Sequence, residues 1–160
     1  MKKIEEALRA VGSKMITGRL KKGTDLIQGL KEACERNHII NGKIISCIGS
    51  LKKATYIYAI DDEKNKIRIR YCEPVTVEGP LELITCQGTI GRDNEKSSIH
   101  LHGVFSDKEK NIYGGHFVEK NNIILATVEF LIIGFESPVI SKYMDRETEF
   151  NLFKYTKKVE

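Results

Sequence analysis

Residues 123–133 read Ile-Ile-Leu-Ala-Thr-Val-Glu-Phe-Leu-Ile-Ile, the longest apolar run of the chain, interrupted only by Thr127 and Glu129. The run is too short to span a bilayer, which takes about 18 apolar residues, and its β-branched side chains favour a strand. Because strand side chains alternate between two faces, both faces are apolar and both need cover. The run therefore predicts a buried strand, covered by the rest of the fold and by other subunits.

Most of the chain after Gly42 predicts further strands separated by short polar turns. Residues 43–50 and 54–60 are rich in β-branched and aromatic side chains, and the polar segment 61–65 separates them from an alternating segment at 67–71. Connections of this length join neighbouring antiparallel strands. The pattern therefore predicts a largely antiparallel or mixed sheet.

The clearest helix begins near Thr24, which can cap it, while Asp25 suits its positive N-terminal end. Its apolar residues form one stripe at helical spacing: Leu26, Ile27, Leu30, Ala33 and Cys34. We therefore predict a principal helix over residues 24–36, packed on the sheet. A short N-terminal helix is predicted over residues 3–11, where apolar residues recur at the same spacing. One principal helix against many strands indicates an α+β fold class.

The composition is that of a single folded domain. The chain has 160 residues, of which 41% are hydrophobic and 30% charged. We divide it into a helical N-terminal extension (1–13), a main domain (14–136) and a C-terminal tail or strand of the same domain (137–160). Lys2 and Lys3 are not followed by the apolar core of a signal peptide, so we expect a cytoplasmic protein with no membrane partner. The four cysteines form no C-x-x-C pair, which excludes a zinc ribbon and a thioredoxin-like redox motif.

The basic residues are scattered rather than clustered. The net charge is +4 and the sequence pI is about 8.8. Basic pairs such as Lys21-Lys22 and Lys52-Lys53 are compatible with DNA binding through phosphate contacts, and equally with an ordinary solvated surface. The sequence has no dense basic run and no Arg-Gly-Arg-Pro hook for an A·T-rich minor groove. Any DNA binding is therefore predicted to be electrostatic and non-specific.

Three of the four histidines fall in two neighbouring segments, 98–105 (Ser-Ile-His-Leu-His-Gly-Val-Phe) and 113–117 (Tyr-Gly-Gly-His-Phe). His100 and His102 lie two residues apart, so in a strand both side chains point to the same face. The turn between the segments returns the chain and brings His116 beside them. Such histidines are often only solvated or hydrogen-bonded, but three converging imidazoles also form a divalent-metal site with one position left for water or a ligand. We predict one zinc or similar ion per chain on these three histidines.

Three further side chains are candidates for a role beside this site. Glu129 stands in the most apolar segment, where an ionised carboxylate needs a partner. It either pairs structurally or has a raised pKa suited to proton transfer. Glu82 alternates with Leu81 and Leu83 and is predicted to lie at a sheet edge or an interface. Arg19 is predicted either to contact an anion or to form a surface ion pair.

A set of short motifs, in order along the chain, resembles the plants-and-prokaryotes-conserved (PPC) domain family. Each motif is weak alone, but the ordered set is specific and extends from about Met15 to Phe135. The motifs are Arg19-Leu20-x-x-Gly23-x-Asp25-Leu26, Ile48-Gly49-Ser50-Leu51-x-x-Ala54, Glu78-Gly79-Pro80-Leu81-Glu82-Leu83, Gly88-Thr89-Ile90, Ile99-His100-Leu101-His102, Gly114-Gly115-His116 and Ala126-Thr127-Val128-Glu129. The resemblance implies an α+β domain with a mostly antiparallel sheet, assembled as a homotrimer. It also implies that His100, His102 and His116 bind zinc or a similar ion.

The resemblance leaves two functions of different classes. Plant members of the family join this domain to AT-hooks, and prokaryotic members are commonly described as DNA-binding. This chain has no hook, and it has three histidines where plant versions generally have other residues. One hypothesis is a DNA-associated or regulatory oligomer, in which a trimer multiplies weak phosphate contacts. The alternative is a zinc-dependent enzyme or small-ligand sensor, with Glu129 or Glu82 as general base if either reaches the metal's water.

Overall fold

A computed structural model of the chain describes residues 8–157. One helix and ten strands are present in this part of the chain. In chain order they are β1 (Lys14–Lys21), α1 (Leu26–Arg36), β2 (Asn41–Ile57), β3 (Ala59–Asp61), β4 (Ile69–Tyr71), β5 (Val75–Asp93), β6 (Lys96–Ser106), β7 (Ile112–Phe117), β8 (Ile123–Phe135), β9 (Val139–Met144) and β10 (Asn151–Thr156). The predicted α+β class, with a strand-rich sheet and one principal helix, is confirmed.

The main sheet has eight strands in the order β1-β8-β2-β7-β6-β5-β9-β10. β2 also pairs with β5, so that β2, β5, β6 and β7 close into a ring. The pairings of this ring are antiparallel, and β9 joins β5 in parallel at Arg92 and Ser141. β3 and β4 form a separate two-stranded hairpin. The sheet is therefore mixed but mostly antiparallel, as predicted.

The interior of the ring is the hydrophobic core, and it decides which way the histidine strand faces. Leu101 and Phe105 of β6 are fully buried there, together with Leu51 of β2 and Phe117 of β7. Since side chains alternate along a strand, burial of Leu101 turns His100 and His102 to the outer face of the ring. Packing of the core therefore fixes the orientation of the candidate metal ligands.

The apolar run quoted first forms β8, between β1 and β2. Val128 and Ile132 on its inner face are fully buried, whereas the outer face is half-exposed. Glu129 lies on this outer face and is exposed, directly across from Arg19 of β1. The expectation that burial forces Glu129 to find a partner is therefore wrong within one chain, because the strand's outer face meets solvent.

The helix begins two residues later than predicted. Asp25, not Thr24, is its N-cap, and its Oδ1 accepts hydrogen bonds from the backbone N–H groups of Ile27 and Gln28 at 3.1 and 3.2 Å. Asp25 Oδ2 also accepts from the backbone N–H of Asn122 at 3.0 Å, which ties the helix start to the segment that leads into β8. One carboxylate thus caps the helix and fixes it to the sheet.

Near both ends, the described residues differ from the prediction. The helix predicted over residues 3–11 lies partly outside the described residues, and its described part is not helical, since Val11 forms an isolated bridge with Ser137. Residues 137–160 were predicted as a tail with one short strand, but the structure has two strands there, β9 and β10, paired as an antiparallel hairpin. Among the described residues, no helix combines the length and apolar character that crossing a membrane requires.

Candidate metal centre

The three histidines come together on the outer face of two adjacent strands. His100 and His102 project from β6, and His116 on β7 is the direct cross-strand partner of His102. The pairing of β6 with β7 runs without a register shift from His102 to Ser106. The predicted convergence of the three side chains is therefore present in the structure.

The geometry of the cluster is compact. One ring nitrogen from each histidine lies within 4.8 Å of the others, and the His100 and His102 Nε2 atoms are 2.9 Å apart. The ring centroids of His100, His102 and His116 are separated by 4.6 to 5.2 Å. Ligand nitrogens around a tetrahedral zinc ion lie roughly 3.4 Å apart, from bond lengths of about 2.0–2.1 Å. The cluster thus has the dimensions of a three-histidine site.

An unsatisfied buried atom also fits a metal. His116 Nδ1 is buried and has no hydrogen-bond partner in the structure, although nearly all buried polar groups have one. Neutral imidazole nitrogens are common ligands of zinc, copper, iron and nickel. These three side chains are therefore suited to a borderline divalent cation.

Glycine at position 115 is required by the packing of β7 against β2. A Cβ atom there would lie 2.6 Å from the backbone oxygen of Ile57 and 2.8 Å from the ring of Tyr56. Either distance is too short for a carbon atom, so any side chain would push β7 away from β2. Gly115 thereby allows the close approach of β7 to β2 next to His116.

Burial lowers the pKa of all three imidazoles, and repulsion from neighbouring groups lowers the pKa values of His100 and His116 further. Burial is the largest cause for His116, followed by the charges of His100, His102 and Lys142, and together they lower its pKa to about 4. The pKa of His100 is lowered by burial, then by His102, Lys142 and Lys43, and that of His102 by burial. At neutral pH the rings are therefore uncharged and hold lone pairs for a cation.

These shifts predict how the metal-free protein responds to acid. Unfolded histidines take up protons near the ordinary pKa of 6.5, whereas folded His116 does so only near 4. Between these two pKa values the unfolded state binds more protons than the folded state. The free energy of unfolding should therefore decrease as the pH falls through this range. Urea unfolding of chelator-treated protein between pH 6.5 and 5 measures the slope. A His116→Gln variant should have a shallower slope, and equal slopes would contradict the assignment.

An aromatic wall next to the cluster was not foreseen from the sequence. The ring centroid of Tyr71, at the end of β4, lies 5.9 Å from that of His116 and 5.5 Å from that of Phe150. The ring centroid of Phe153 in β10 lies 6.5 Å from that of His100. Between them is a depression of about 270 Å³. The alternation of Phe153 and Tyr155 with polar residues in β10 was the signal that could have revealed it.

A second, more open depression of about 450 Å³ lies on the other side of the histidines. His100, His102, Thr89 and Lys43 are among its lining residues. The Lys43 ammonium donates to Thr89 Oγ1 and to Tyr155 Oη, each at 2.7 Å. The histidines are therefore accessible from two sides, and an ammonium group is held beside them.

The other predicted site residues do not join the cluster within one chain. Glu82 is exposed on β5, opposite Ser106 of β6, and Glu129 and Arg19 face each other on β8 and β1. Of the described residues, those lining the depressions around the histidines include none of these three. If Glu82, Glu129 or Arg19 contacts the metal position, it must do so from another subunit.

The fold and the site together define a small α+β domain in which a closed ring of strands carries three histidines on its outer face. The chain belongs to the Plants and Prokaryotes Conserved (PCC) domain family, whose model matches residues 9–136. The match covers most of the chain and confirms the resemblance drawn from the short motifs. No curated protein matches the sequence.

Solved structures share the fold. A metal-containing protein from Archaeoglobus fulgidus aligns with a TM-score of 0.77 at 23% identity, over 93% of this chain and 99% of that one. A plant- and prokaryote-conserved protein from Pyrococcus horikoshii aligns with a TM-score of 0.75 at 18% identity, over 98% and 99% of the two chains. A proposed DNA-binding protein from Bacteroides thetaiotaomicron aligns with a TM-score of 0.72 at 19% identity, over 92% and 99%. At these identities the comparisons establish the fold alone.

Proposed function

We propose that this protein binds one zinc or similar divalent ion per chain through His100, His102 and His116, with water or a ligand in the remaining position. The observation that carries the proposal is the convergence of three neutral imidazoles whose ligand atoms lie within 4.8 Å of one another. The description of the A. fulgidus neighbour as metal-containing is consistent with it. When bound, the metal supplies a Lewis acid at the protein surface.

The chain's own residues determine how a ligand reaches that centre. The fully buried side chain of Leu101 holds β6 so that both of its histidines face outward. Lys43 and Lys142 place positive charge near the cluster, as their effects on the pKa of His100 indicate. Phe153 and Tyr71 place aromatic rings beside the imidazoles of His100 and His116. The arrangement therefore favours a ligand that approaches as an anion.

Titration of the chelator-stripped protein with zinc tests the proposal. Calorimetry should give about one ion bound per chain, with protons displaced only at low pH because the imidazoles are already neutral. A stoichiometry near zero would contradict the site. A stoichiometry that persists when all three histidines are replaced would assign the metal to other residues.

We also propose that the protein is a homotrimer, and that residues 137–160 belong to the same domain as residues 14–136, with 1–13 as an extension. Exposed isoleucines at positions 45, 48 and 84 support the assembly, since they lie on adjacent strands of the outer face. The joining of β9 to β5 supports the single domain. We further propose a cytoplasmic location, which cell fractionation tests.

DNA-associated or regulatory activity is the first role that we propose for such a trimer. It is supported by the description of the B. thetaiotaomicron neighbour and by the net charge of +4. Three copies of a weak phosphate-binding surface would act together through effective concentration. The contacts would be electrostatic, because the basic residues are scattered and no hook is present.

This role predicts a strong salt dependence. Affinity for a mixed-sequence duplex should fall more than about tenfold between about 50 and 200 mM salt, because bound phosphates release counterions. Replacing exposed Lys21 and Lys22 with glutamine should weaken binding, and replacing both with arginine should not. Fluorescence anisotropy measures both effects. Base-specific protection in footprinting at physiological salt would contradict non-specific binding.

The alternative role is a zinc-dependent enzyme or small-ligand sensor. The depressions that reach the histidines favour it. Glu82 or Glu129 of a neighbouring subunit would then be the candidate general base, and Arg19 a candidate anion contact, since all three are exposed on the outer face. A substrate library screened with and without chelator tests this role. Chelator-sensitive turnover that DNA does not affect would favour it over DNA association.

A further inference from the structure

We propose that the depression between the histidine cluster and the β9–β10 hairpin binds a small organic carboxylate that carries a flat apolar ring. The carboxylate would occupy the remaining metal position, and the ring would lie against the aromatic wall. This inference rests on the proposed metal site and names the class of ligand that the site accepts.

The walls of the depression match a flat ring. It measures about 270 Å³ and is lined by Tyr71, Phe150 and Phe153 together with His100 and His116. The ring centroids of Tyr71 and Phe150 are 5.5 Å apart, and the two rings meet nearly edge to face. Ligand sites are mostly apolar with a few placed polar groups, and a volume just below their usual range of about 300–1,000 Å³ selects a ligand of about one ring.

The charges around the depression favour an anion. Lys142 lines it, and its ammonium lies 5.9 Å from the centre of the Phe153 ring. Its carboxylate partner, Asp93, is 3.8 Å away and does not line this depression. Of the described residues that line it, none is acidic. A bound divalent cation would add to this positive field, since the three imidazoles are neutral ligands.

The hairpin that builds the wall is anchored next to the metal position. Tyr155 accepts a hydrogen bond from Lys43 at 2.7 Å, and Phe153 is the cross-strand partner of Lys142. The Phe153 ring and the Lys142 ammonium are thus held at the same register position of the hairpin. The Phe153 ring would contact the ring of the ligand, and the Lys142 ammonium would contact its carboxylate. The depression therefore offers apolar and cationic contacts together.

The apolar lining argues for a carboxylate attached to a ring rather than for inorganic phosphate. A phosphate ion would fill the metal position but would make no apolar contact with Tyr71, Phe150 or Phe153. Among the described residues that line the depression, Lys142 alone carries an ammonium group. One positive charge matches the single charge of a carboxylate better than the double charge of phosphate. Phosphate is therefore the competing ligand in the test.

Calorimetric titration of the zinc-loaded protein with benzoate tests the proposal. Benzoate should bind in a saturable manner, while acetate, which lacks the ring, and benzamide, which lacks the charge, should bind at least about tenfold more weakly. Lys142→Gln should weaken benzoate binding about tenfold. Lys154→Gln is the matched control, because Lys154 also stacks on an aromatic ring of the hairpin, that of Tyr143 at 5.8 Å, but does not line the depression.

Zinc content measured on every sample separates the two proposals. Stoichiometric zinc without benzoate binding would overturn the carboxylate inference and leave the metal site standing, whereas absence of zinc would overturn both. Equal benzoate affinity in the Lys142 and Lys154 variants, or tighter binding of phosphate than of benzoate, would also overturn it. Phe153→Leu, which keeps an apolar side chain on β10, should weaken benzoate more than acetate.

Discussion

The His102→Ala variant is expected to lose most of its bound metal while keeping its sheet. His102 is exposed on the outer face of β6, so its replacement leaves no cavity in the core. Loss of one of three imidazoles should weaken zinc binding by more than about 100-fold, which is the upper range seen when only a supporting residue is lost. Stability in the absence of metal should change by less than about 0.5 kcal/mol, as for most exposed positions.

Plasma emission analysis of the purified variant measures the metal, and circular dichroism measures the fold. His38→Asn is the matched control, because His38 is the histidine outside the cluster. Its φ angle is 53°, in the left-handed region that asparagine tolerates. The control should retain about one ion per chain. Full zinc occupancy in His102→Ala would show that the three histidines are not the ligand set.

The Ile48→Asp variant is expected to dissociate the proposed trimer. Ile48 is 49% exposed in the single chain, and Ile84 on the neighbouring strand is 47% exposed. Gly49 pairs with Leu83, so these two isoleucines are the next residues along β2 and β5. A carboxylate at position 48 would have to be desolvated in each subunit of the trimer, at a cost of several kcal/mol per charge. The monomer would be little affected, since the side chain already meets solvent.

Sedimentation measures the assembly. The unmodified protein should sediment as about three times the chain mass of 18.2 kDa, and the variant as a single chain. Met144→Asp is the control, because Met144 is also exposed and apolar, at 59%, but lies at the end of β9 outside the isoleucine patch. A monomeric mass for the unmodified protein at micromolar concentration would contradict the trimer proposal.

Periodic patterns predicted the local structure well. The apolar run at 123–133 forms β8, and the stripe from Leu26 to Cys34 forms α1. The histidine cluster was also predictable, because i and i+2 residues share a strand face and His116 follows after one turn. These features depend on neighbours in sequence, which is why the sequence alone sufficed.

Features that depend on distant pairings were missed. Closure of the ring requires β2 to pair with both β5 and β7, and nothing in the local pattern of β2 indicates two such partners. The β9–β10 hairpin was predicted only as one short strand, because Ser141 and Lys142 interrupt the apolar pattern of β9. Glu129 was expected to be buried, but its exposure is decided by what covers the outer face of β8.

X-ray diffraction at the zinc absorption edge tests the central claim most directly. The protein, crystallised after zinc loading, should give one anomalous peak per chain, about 2.0–2.1 Å from a ring nitrogen of each of His100, His102 and His116. Density for water or a ligand should complete the coordination. A map with no peak between these three rings, or with its peak on other residues, would contradict the account.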